Sequence, residues 1–260
     1  MSWEIVDGEL TPDAAPPWLS PLVTDPAAIK DAYRQRVPAG VLAALTAANA
    51  TAAVTGARRD AAVLVLFSGP DHGTPGELPP DADLLVTVRA STLRHHAGQA
   101  AFPGGAADPG DRSPVHTALR EATEETGLAA SRLQTLATLD TMFIPPSGFQ
   151  VVPVLAYSAD PGPVAVVDPS ETAVVARVPV RAFVNPDNRL MVYRKENTRR
   201  SAGPAFLLNQ MLVWGFTGHV IAAMLDVAGW TQPWDADAVH ELGDAMARLE
   251  AAGSYGEVQR

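Results

Sequence analysis

The chain has 260 residues, of which 47% are hydrophobic and 18% charged, so a sizeable core is expected and wholesale disorder is not. Its formal net charge is −10, and an acidic surface repels a phosphate backbone, which disfavours nucleic-acid binding through a broad basic face. The chain has no cysteine, which excludes disulfides, thiolate nucleophiles and cysteine-based zinc sites and fits a cytosolic protein.

The N-terminal part is predicted to lead into the main domain. Residues 1 to 37 are rich in Pro, Asp and Ala, which predicts an extended lead-in with a short helix at 26 to 34. The first residues lack an apolar core of signal-peptide length, so no secretory signal is expected. Residues 38 to 50 predict a helix, with Pro38 near its first turn.

The middle of the chain alternates apolar runs with turn residues, which predicts a mixed α/β domain. Residues 113 to 127 carry the clearest helix signal, because Ser113 can cap the helix, Pro114 suits its first position and Gly127 can end it. Apolar runs predict strands at 61 to 68, 83 to 90, 133 to 143, 148 to 158, 172 to 180 and 188 to 194.

The C-terminal part is predicted to be helical. The apolar segment 205 to 225 has the length of a membrane span, but polar residues such as His219 interrupt it, and polar groups are costly at bilayer depth. A buried helix of a globular core explains this segment better. Helices are predicted at 214 to 228 and 236 to 251.

A cluster of carboxylates on the helix at 113 to 127 suggests a metal site. Glu121 and Glu125 are one helical turn apart and can aim at one point, Glu124 flanks them, and Arg120 can pair with Glu124. Carboxylates this close need a counter-charge if they are even partly buried. A hard divalent cation such as Mg²⁺ or Mn²⁺ would supply that charge and would share its oxygen ligands with a phosphate.

A glycine turn precedes this helix. Gly104 and Gly105 permit backbone conformations that other residues avoid and let the backbone approach a ligand closely. A short Glu-rich run alone is more often a solvated helix face. The joint arrangement of a glycine turn, a loop with Asp108 and Asp111, and a capped acidic helix favours a metal–phosphate site.

The segment from the glycine turn to the end of the helix resembles the Nudix box, G-x5-E-x7-R-E-U-x-E-E-x-G-U, where U is a bulky aliphatic residue. REATEETGL, at 120 to 128, matches the second half, although Ala122 is small for a U position. In the first half the box glycine and glutamate fall on Ala106 and Arg112. Gly105 and Asp111 each stand one residue early, so Asp111 is the candidate to replace the missing glutamate.

A second motif narrows the resemblance. Residues 84 to 105 resemble the extra motif of coenzyme A pyrophosphatase-like Nudix hydrolases, L-L-T-x-R-[SA]-x3-R-x3-G-x3-F-P-G-G. From Thr87 onward every fixed position matches, at Arg89, Ala90, Arg94, Gly98, Phe102, Pro103, Gly104 and Gly105.

The resemblance implies an α/β/α sandwich around a mixed β-sheet, here with N- and C-terminal helical additions. It implies hydrolysis of coenzyme A or an acyl derivative to adenosine 3′,5′-bisphosphate and 4′-phosphopantetheine. On this basis the chain divides into an extended lead-in (1–37), a Nudix hydrolase domain (38–235) and a C-terminal helix and tail (236–260).

The resemblance also implies roles for the site residues. Glu121 and Glu125 would hold Mg²⁺ or Mn²⁺ with help from Glu124 and the backbone of Gly105, while Arg120 would orient the glutamates. The proton acceptor is left open between Glu124 and Glu171, the latter being equally well explained as an exposed loop acid.

Substrate contacts are expected from Arg89, Arg94, Gly104 and Gly105. For the two arginines a structural ion pair is the alternative. A further basic segment, YRKENTRR at 193 to 200, could meet the 3′-phosphate of coenzyme A, but a solvated loop is the favoured interpretation.

Two other functions stay open. The substrate could be ADP-ribose, a dinucleotide or a nucleoside triphosphate, or the chain could be a catalytically weak Nudix-fold module that binds a nucleotide or a partner. The expected ligand is a small nucleotide such as coenzyme A, with no nucleic acid and no membrane as partners, a cytoplasmic location, and homodimer formation left open.

Overall fold

The computed structural model describes residues 9–90, 98–145, 147–195, 201–209 and 211–256. Within these residues the α-helices are α1 (Ser20–Thr24), α2 (Pro26–Arg36), α3 (Ala39–Thr55), α4 (Pro114–Thr126), α5 (Val180–Val184), α6 (Gly215–Val227) and α7 (Leu242–Gly256). The strands are β1 (Arg59–Ser68), β2 (Asp83–Arg89), β3 (Ala100–Ala101), β4 (Gly104–Ala106), β5 (Gln134–Thr138), β6 (Met142–Ile144), β7 (Phe149–Ser158), β8 (Thr172–Pro179), β9 (Arg189–Tyr193), β10 (Gly203–Leu208), β11 (Met211–Val213) and β12 (Val239–Glu241).

A mixed sheet lies at the centre of the fold. Its main path runs β3-β2-β1-β7-β5, with β4 paired to β1, β6 to β7 and β8 to β2. The two long strands β1 and β7 are parallel over their whole length, whereas β2 and β4 run antiparallel to β1. Each of the six segments predicted as strands contains at least one strand of the structure.

Helices cover both faces of this sheet. Side chains of β1 alternate between the faces, as expected for a strand. Leu64 and Leu66 pack with the buried side of α4, while Val65 and Phe67 belong to the larger core on the opposite face, which contains α2 and α6. This arrangement confirms the predicted α/β sandwich around a mixed sheet.

The prediction of an extended N-terminal lead-in is wrong for residues 9 to 37. The helix expected at 26 to 34 forms as α2, but α1 precedes it and the segment packs into the main core. Trp18 is 0% exposed and donates its indole N–H to the carbonyl of Pro70 at 2.8 Å. The closely spaced prolines indicated an extended segment, but its few large apolar side chains are buried in the main core. The domain boundaries themselves stay a prediction.

A second sheet, ordered β11-β10-β9-β12, also departs from the prediction. The prediction of a buried helix over 205 to 225 is wrong for the residues before Gly215, because β10 and β11 form a hairpin there. The helix begins only at Gly215, and its residues from Val220 to Leu225 are all buried. A short apolar run fits a buried strand and a buried helix equally well, so periodicity could not separate them.

The C-terminal helix begins later than predicted. Residues Val239–Glu241 form a strand that pairs in parallel with β9, and α7 follows it at Leu242. Ala245 on this helix is buried against the second sheet. Among the residues described, no single helix is long and apolar enough to cross a membrane; the bent pair of α2 and α3, at 116°, passes that test only jointly.

Candidate active site

Helix α4 presents the acidic residues as the sequence predicted. The hydroxyl of Ser113 accepts the N–H of His116 at 3.1 Å, Pro114 takes the first turn, and Gly127 ends the helix at φ +70°. Buried residues of α4, including Ala118 and Ala122, pack against β1 and β7. Because this face of α4 is packed against the sheet, Arg120 and Glu121 on its other side lie next to β4.

The glycine turn is required by close packing. Gly104 has φ +153°, and a Cβ atom there would lie 2.4 Å from the carbonyl oxygen of Ala62 on β1. A Cβ atom on Gly105 would lie 2.6 Å from the carboxylate of Glu121. Both glycines therefore let β4 fit between β1 and α4. Their predicted contact with a diphosphate remains a prediction.

Arg120 connects the acidic groups of the site. Its Nε and Nη2 atoms donate to the two carboxylate oxygens of Asp111 at 3.1 and 2.8 Å. Nη1 donates to Glu121 and Glu124, both at 3.0 Å, and Nη2 also donates to the carbonyl of Ala106 at 3.1 Å. The guanidinium thus holds the loop and the helix in one arrangement; the orienting role expected for Arg120 stays a prediction.

Asp111, rather than Arg112, meets the box arginine. The Asp111 side chain is 2% exposed and also accepts the hydroxyl of Thr117 at 2.6 Å and the N–H of Asp108 at 2.9 Å. The hydrogen bonds from Arg120 are the main cause that holds the pKa of Asp111 well below its usual range. The one-residue offset in the box therefore leaves a carboxylate in contact with the arginine.

Sequence reasoning missed three partners in this network. The Thr117 hydroxyl, the Asp108 amide and the Ala106 carbonyl all bind Asp111 or Arg120. A signal for Thr117 was available, because it lies three residues before Arg120 on the same helix face. The two backbone partners leave no signature in side-chain identity.

Glu125 is the most perturbed acid of the helix. Its Oε2 atom accepts the N–H of Gly104 at 3.2 Å. Burial is the main cause that raises the pKa of Glu125 to about 7; the charges of Glu121 and Glu171 raise it further, while the charge of Arg89 opposes them. Burial also raises the pKa of Glu121. Three other predicted residues, Glu121, Glu171 and Arg89, thus lie within electrostatic reach of Glu125.

The remaining predicted residues lie around this centre. The backbone carbonyl of Glu171 accepts the N–H of Ala90 at 2.8 Å, which fixes the loop before β8 beside the end of β2. Arg89 lies at that end, and its Nε atom is buried without a hydrogen-bond partner among the described residues. The side chain of Glu124 is 60% exposed. Arg94 lies outside the described residues.

No group of three or more Asp, Glu or His side chains in the described part of the chain is arranged ready to hold a metal ion. Arg120 binds Glu121 and Glu124, whereas Glu125 accepts the N–H of Gly104, so these carboxylates are engaged by different partners.

Comparison with known proteins decides the family. A model of the NUDIX domain matches residues 57–197 of the chain, which is more than half of it. The chain belongs to the NUDIX family. Its acidic helix and glycine turn are therefore the Nudix box of a hydrolase that acts on pyrophosphate bonds.

Two curated relatives of this Nudix chain share one name, and a solved Nudix structure is also similar to it. It is 34% identical over 142 residues to the "Uncharacterized Nudix hydrolase NudL" of Photorhabdus laumondii, a match covering 55% of this chain and 75% of that protein. It is 46% identical over 101 residues to the protein of the same name from Yersinia enterocolitica, covering 36% of this chain and half of that one. Among solved structures, the Nudix hydrolase RenU of M. smegmatis is 27% identical, with 48% of this chain and 72% of that chain aligned and a TM-score of 0.38.

The donor set of the Nudix box fits a hard divalent cation. Nudix hydrolases generally use divalent metal ions such as Mg²⁺ or Mn²⁺. Burial raises the pKa of Glu121 and of Glu125, and repulsion from neighbouring carboxylates adds to both shifts. A divalent cation would remove that repulsion with the oxygen ligands that it prefers. The side chains of Glu121 and Glu124 would have to turn away from Arg120 to share it.

Proposed function

We propose that the chain hydrolyses the diphosphate bond of coenzyme A or an acyl derivative, releasing adenosine 3′,5′-bisphosphate and 4′-phosphopantetheine. One observation carries the proposal: the two sequence motifs meet at one place. Arg89, from the motif resembling coenzyme A pyrophosphatases, acts electrostatically on Glu125 of the Nudix box, and Gly104, at the end of that motif, donates its N–H to the same carboxylate.

Glu121 and Glu125 are proposed to hold Mg²⁺ or Mn²⁺, with Glu124 and the backbone of Gly105 completing the set. When bound, the cation would neutralise diphosphate charge and lower the pKa of a bound water. Arg120 keeps the glutamates at the β4 edge through its ion pair with Asp111. It is a positioning residue in this proposal, because its donors are already engaged by the protein.

Arg89 is proposed to bind a phosphate oxygen of the substrate. Its Nε–H is buried and has no acceptor in the part of the chain that the structure describes, so an anionic oxygen would satisfy a donor that otherwise carries a desolvation cost. Arg94 is proposed for the same role from the sequence motif alone. Binding here would also bring the positive charge of Arg89 against negative charge that develops on the reacting phosphoryl group.

The general base is proposed to be Glu124 or Glu171. The side chain of Glu124 is the most exposed of the Glu side chains that Arg120 binds, so a substrate-side water can reach it. Glu171 lies close enough to Glu125 to raise its pKa, and its loop is fixed to Ala90. Replacing each by Gln separates them, since loss of the base lowers kcat and flattens the acidic limb of its pH profile.

The test of function is a substrate panel with the purified chain. Coenzyme A, acetyl-coenzyme A, ADP-ribose, a dinucleoside polyphosphate and nucleoside triphosphates are incubated with Mg²⁺ or Mn²⁺, and the products are identified by mass. Adenosine 3′,5′-bisphosphate from coenzyme A is the expected product. Turnover confined to ADP-ribose or nucleotides would refute the coenzyme A assignment and leave the hydrolase.

A catalytically weak nucleotide-binding module is the second candidate function, favoured by the altered first half of the box. It predicts saturable binding of a nucleotide without turnover of any member of the panel. Variant Glu125→Gln serves as the catalytic control and Arg132→Met as the matched surface control, because Arg132 pairs with Asp160 on an exposed part of the chain.

A further inference from the structure

A charged cluster lies on the face of the central sheet opposite α4. Arg36 at the end of α2 is ion-paired with Asp226 near the end of α6. The second carboxylate oxygen of Asp226 accepts the hydroxyl of Thr231 at 2.6 Å. Both oxygens of this acid are therefore engaged. A second arginine, Arg189 at the start of β9, lies close enough to both charges for each to shift its pKa.

Arg189 is a buried cation without hydrogen-bond acceptors for its terminal nitrogens. The residue is 5% exposed, and its Nη1 and Nη2 atoms are shut off from solvent with no partner in the described part of the chain. Its guanidinium carbon lies 4.7 Å from the ring centre of Trp234 and 5.6 Å from that of Phe206. The rings contact its faces but cannot accept the in-plane hydrogen bonds that the guanidinium edge offers.

The same cluster holds another unpaired donor and a surplus of positive charge. The Nε atom of Arg36 is buried without a partner as well. Two guanidinium groups thus face the single carboxylate of Asp226. Burial lowers the pKa of nearby His219, which favours its neutral form. The imidazole therefore does not offset the positive charge of the two arginines. Burial, followed by repulsion from Arg36, lowers the pKa of Arg189 to about 10.

An unpaired buried cation is costly, because the desolvation of its donors is not repaid by hydrogen bonds. The chain as a whole carries a net charge of −10, so acidic residues were available to pair with Arg189. Within the described residues, three guanidinium nitrogens of the cluster are instead left without an acceptor. This is the arrangement expected of a site that is completed by a bound anion.

A cavity of about 550 Å³ lies close to this cluster. Trp230, Thr231 and Gln232 line one side of it and Val184 to Pro186 line another. Thr231 belongs to both features, because it lines the cavity and donates its hydroxyl to Asp226. Two residues beyond Gln232, Trp234 covers the guanidinium of Arg189. The segment from 230 to 234 therefore separates the cavity from the cluster.

We propose that Arg189 binds a small oxyanion, which reaches it from this cavity when the segment from 230 to 234 moves aside. Two oxygens of one phosphate or carboxylate group match the paired donors Nη1 and Nη2, which a spherical anion cannot do. Arg36 supplies additional positive charge and one further donor. The site is separate from the Nudix box, since α4 packs on the other face of the central sheet.

The experiment measures thermal unfolding of the full chain in EDTA while inorganic phosphate, acetate or chloride is titrated at constant ionic strength. We expect a saturable rise in Tm with phosphate or acetate and none with chloride. The more effective oxyanion identifies a phosphate-type or a carboxylate-type ligand. The variant Arg89→Met should show the same rise, which separates this site from the phosphate contact proposed at the Nudix box.

Arg189→Met should raise the half-saturating oxyanion concentration by at least about tenfold, as expected for loss of hydrogen bonds to a charged group. Arg132→Met, at an exposed arginine, is the matched control and should leave it unchanged. Arg189→Lys keeps the positive charge but not the paired donors, and it should also weaken oxyanion binding. This variant tests the proposal if Arg189→Met does not fold. An absent or non-saturating response in the wild-type chain, or an equal response in Arg189 variants, would overturn the proposal.

Discussion

Arg120 and Asp111 form a two-pronged ion pair that joins the loop after β4 to helix α4, with N–O distances of 3.1 and 2.8 Å. The pair matters because the same guanidinium also holds Glu121 and Glu124. Removing Asp111 would leave a partly buried cation free to bind the glutamates more tightly. The glutamates would then be less available to a metal ion.

We expect Asp111→Asn to lower kcat by about 10- to 100-fold, corresponding to roughly 1.4 to 2.7 kcal/mol of lost positioning. The free energy of unfolding should fall by about 1 to 3 kcal/mol because hydrogen bonds to a charged group are lost. Asp160→Asn removes the exposed partner of Arg132 and is the matched control. Steady-state kinetics and urea unfolding check both values; a kcat equal to wild type would remove Asp111 from the positioning network.

The stability of the same variant should depend differently on pH. Because the pKa of Asp111 is depressed in the folded chain, its stabilisation is present above the unfolded pKa of about 3.9 and is lost as pH falls through the folded pKa. The difference in unfolding free energy between wild type and Asp111→Asn should therefore be largest near neutral pH and shrink in acid. A constant difference from pH 7 down to pH 2, measured by urea unfolding, would contradict this assignment.

Glu125 should make the metal-free protein less stable as pH rises. Its folded pKa of about 7 lies above the unfolded value, so its favourable contribution is present at low pH and is lost as pH rises through about 7. In EDTA, Glu125→Gln should remove about 1 to 3 kcal/mol of the fall in unfolding free energy between pH 5 and pH 8.

Adding Mg²⁺ should reverse this dependence, because a metal ligand must be deprotonated. We expect the stabilisation by Mg²⁺ to be larger at pH 8 than at pH 5.5 and to be strongly reduced in Glu125→Gln. The measurement is Tm against Mg²⁺ concentration at the two pH values. Equal stabilisation of wild type and variant would place the metal elsewhere.

Gly105→Ala should disturb the metal site by steric contact. The added Cβ atom would lie 2.6 Å from the Glu121 carboxylate, which must turn away. We expect the half-saturating Mg²⁺ concentration to rise by roughly tenfold, a cost of about 1.4 kcal/mol. Gly110→Ala, in the same loop, meets nothing within 4 Å and should behave as wild type. Identical metal dependence of the two variants in the hydrolysis assay would refute the steric argument.

The N-terminal segment should contribute to global stability. Trp18 is 0% exposed and contacts Phe67, Tyr157 and Trp230. Trp18→Ala is expected to cost about 3 to 5 kcal/mol, as is usual when a large core aromatic is truncated. Val54→Ala, at a side chain that is 90% exposed, should change stability by less than about 0.5 kcal/mol. Urea unfolding compares the two; a Trp18 variant as stable as the Val54 variant would exclude the segment from the core.

The sequence was most informative where local chemistry decides structure. Helix α4 begins at Ser113 and Pro114 and ends at Gly127 as predicted, because capping and left-handed termination depend on the residues themselves. The helical spacing of Glu121 and Glu125 likewise followed from the sequence. The long strands β1 and β7 were predicted because each is a continuous apolar run of strand length.

The sequence was misleading where an apolar run could pack in more than one way. The β10–β11 hairpin looked like the start of a helix, and the N-terminal segment looked extended. Both errors have the same origin, since burial of an apolar side chain is decided by residues far away along the chain. Trp18, for example, is buried by contacts with residues about 50 to more than 200 positions later in the sequence, such as Phe67 and Trp230.

By itself, the sequence determined the family, the acidic helix with its caps, and the residue types at the candidate site, because each is written in local motifs. Tertiary structure alone decided how the shifted box is used: folding of the loop brings Asp111 to Arg120 at 2.8 Å, although Arg112 holds the usual glutamate position. It also decided that Arg189 is buried without acceptors, since the partners of a charged side chain depend on which distant elements pack around it.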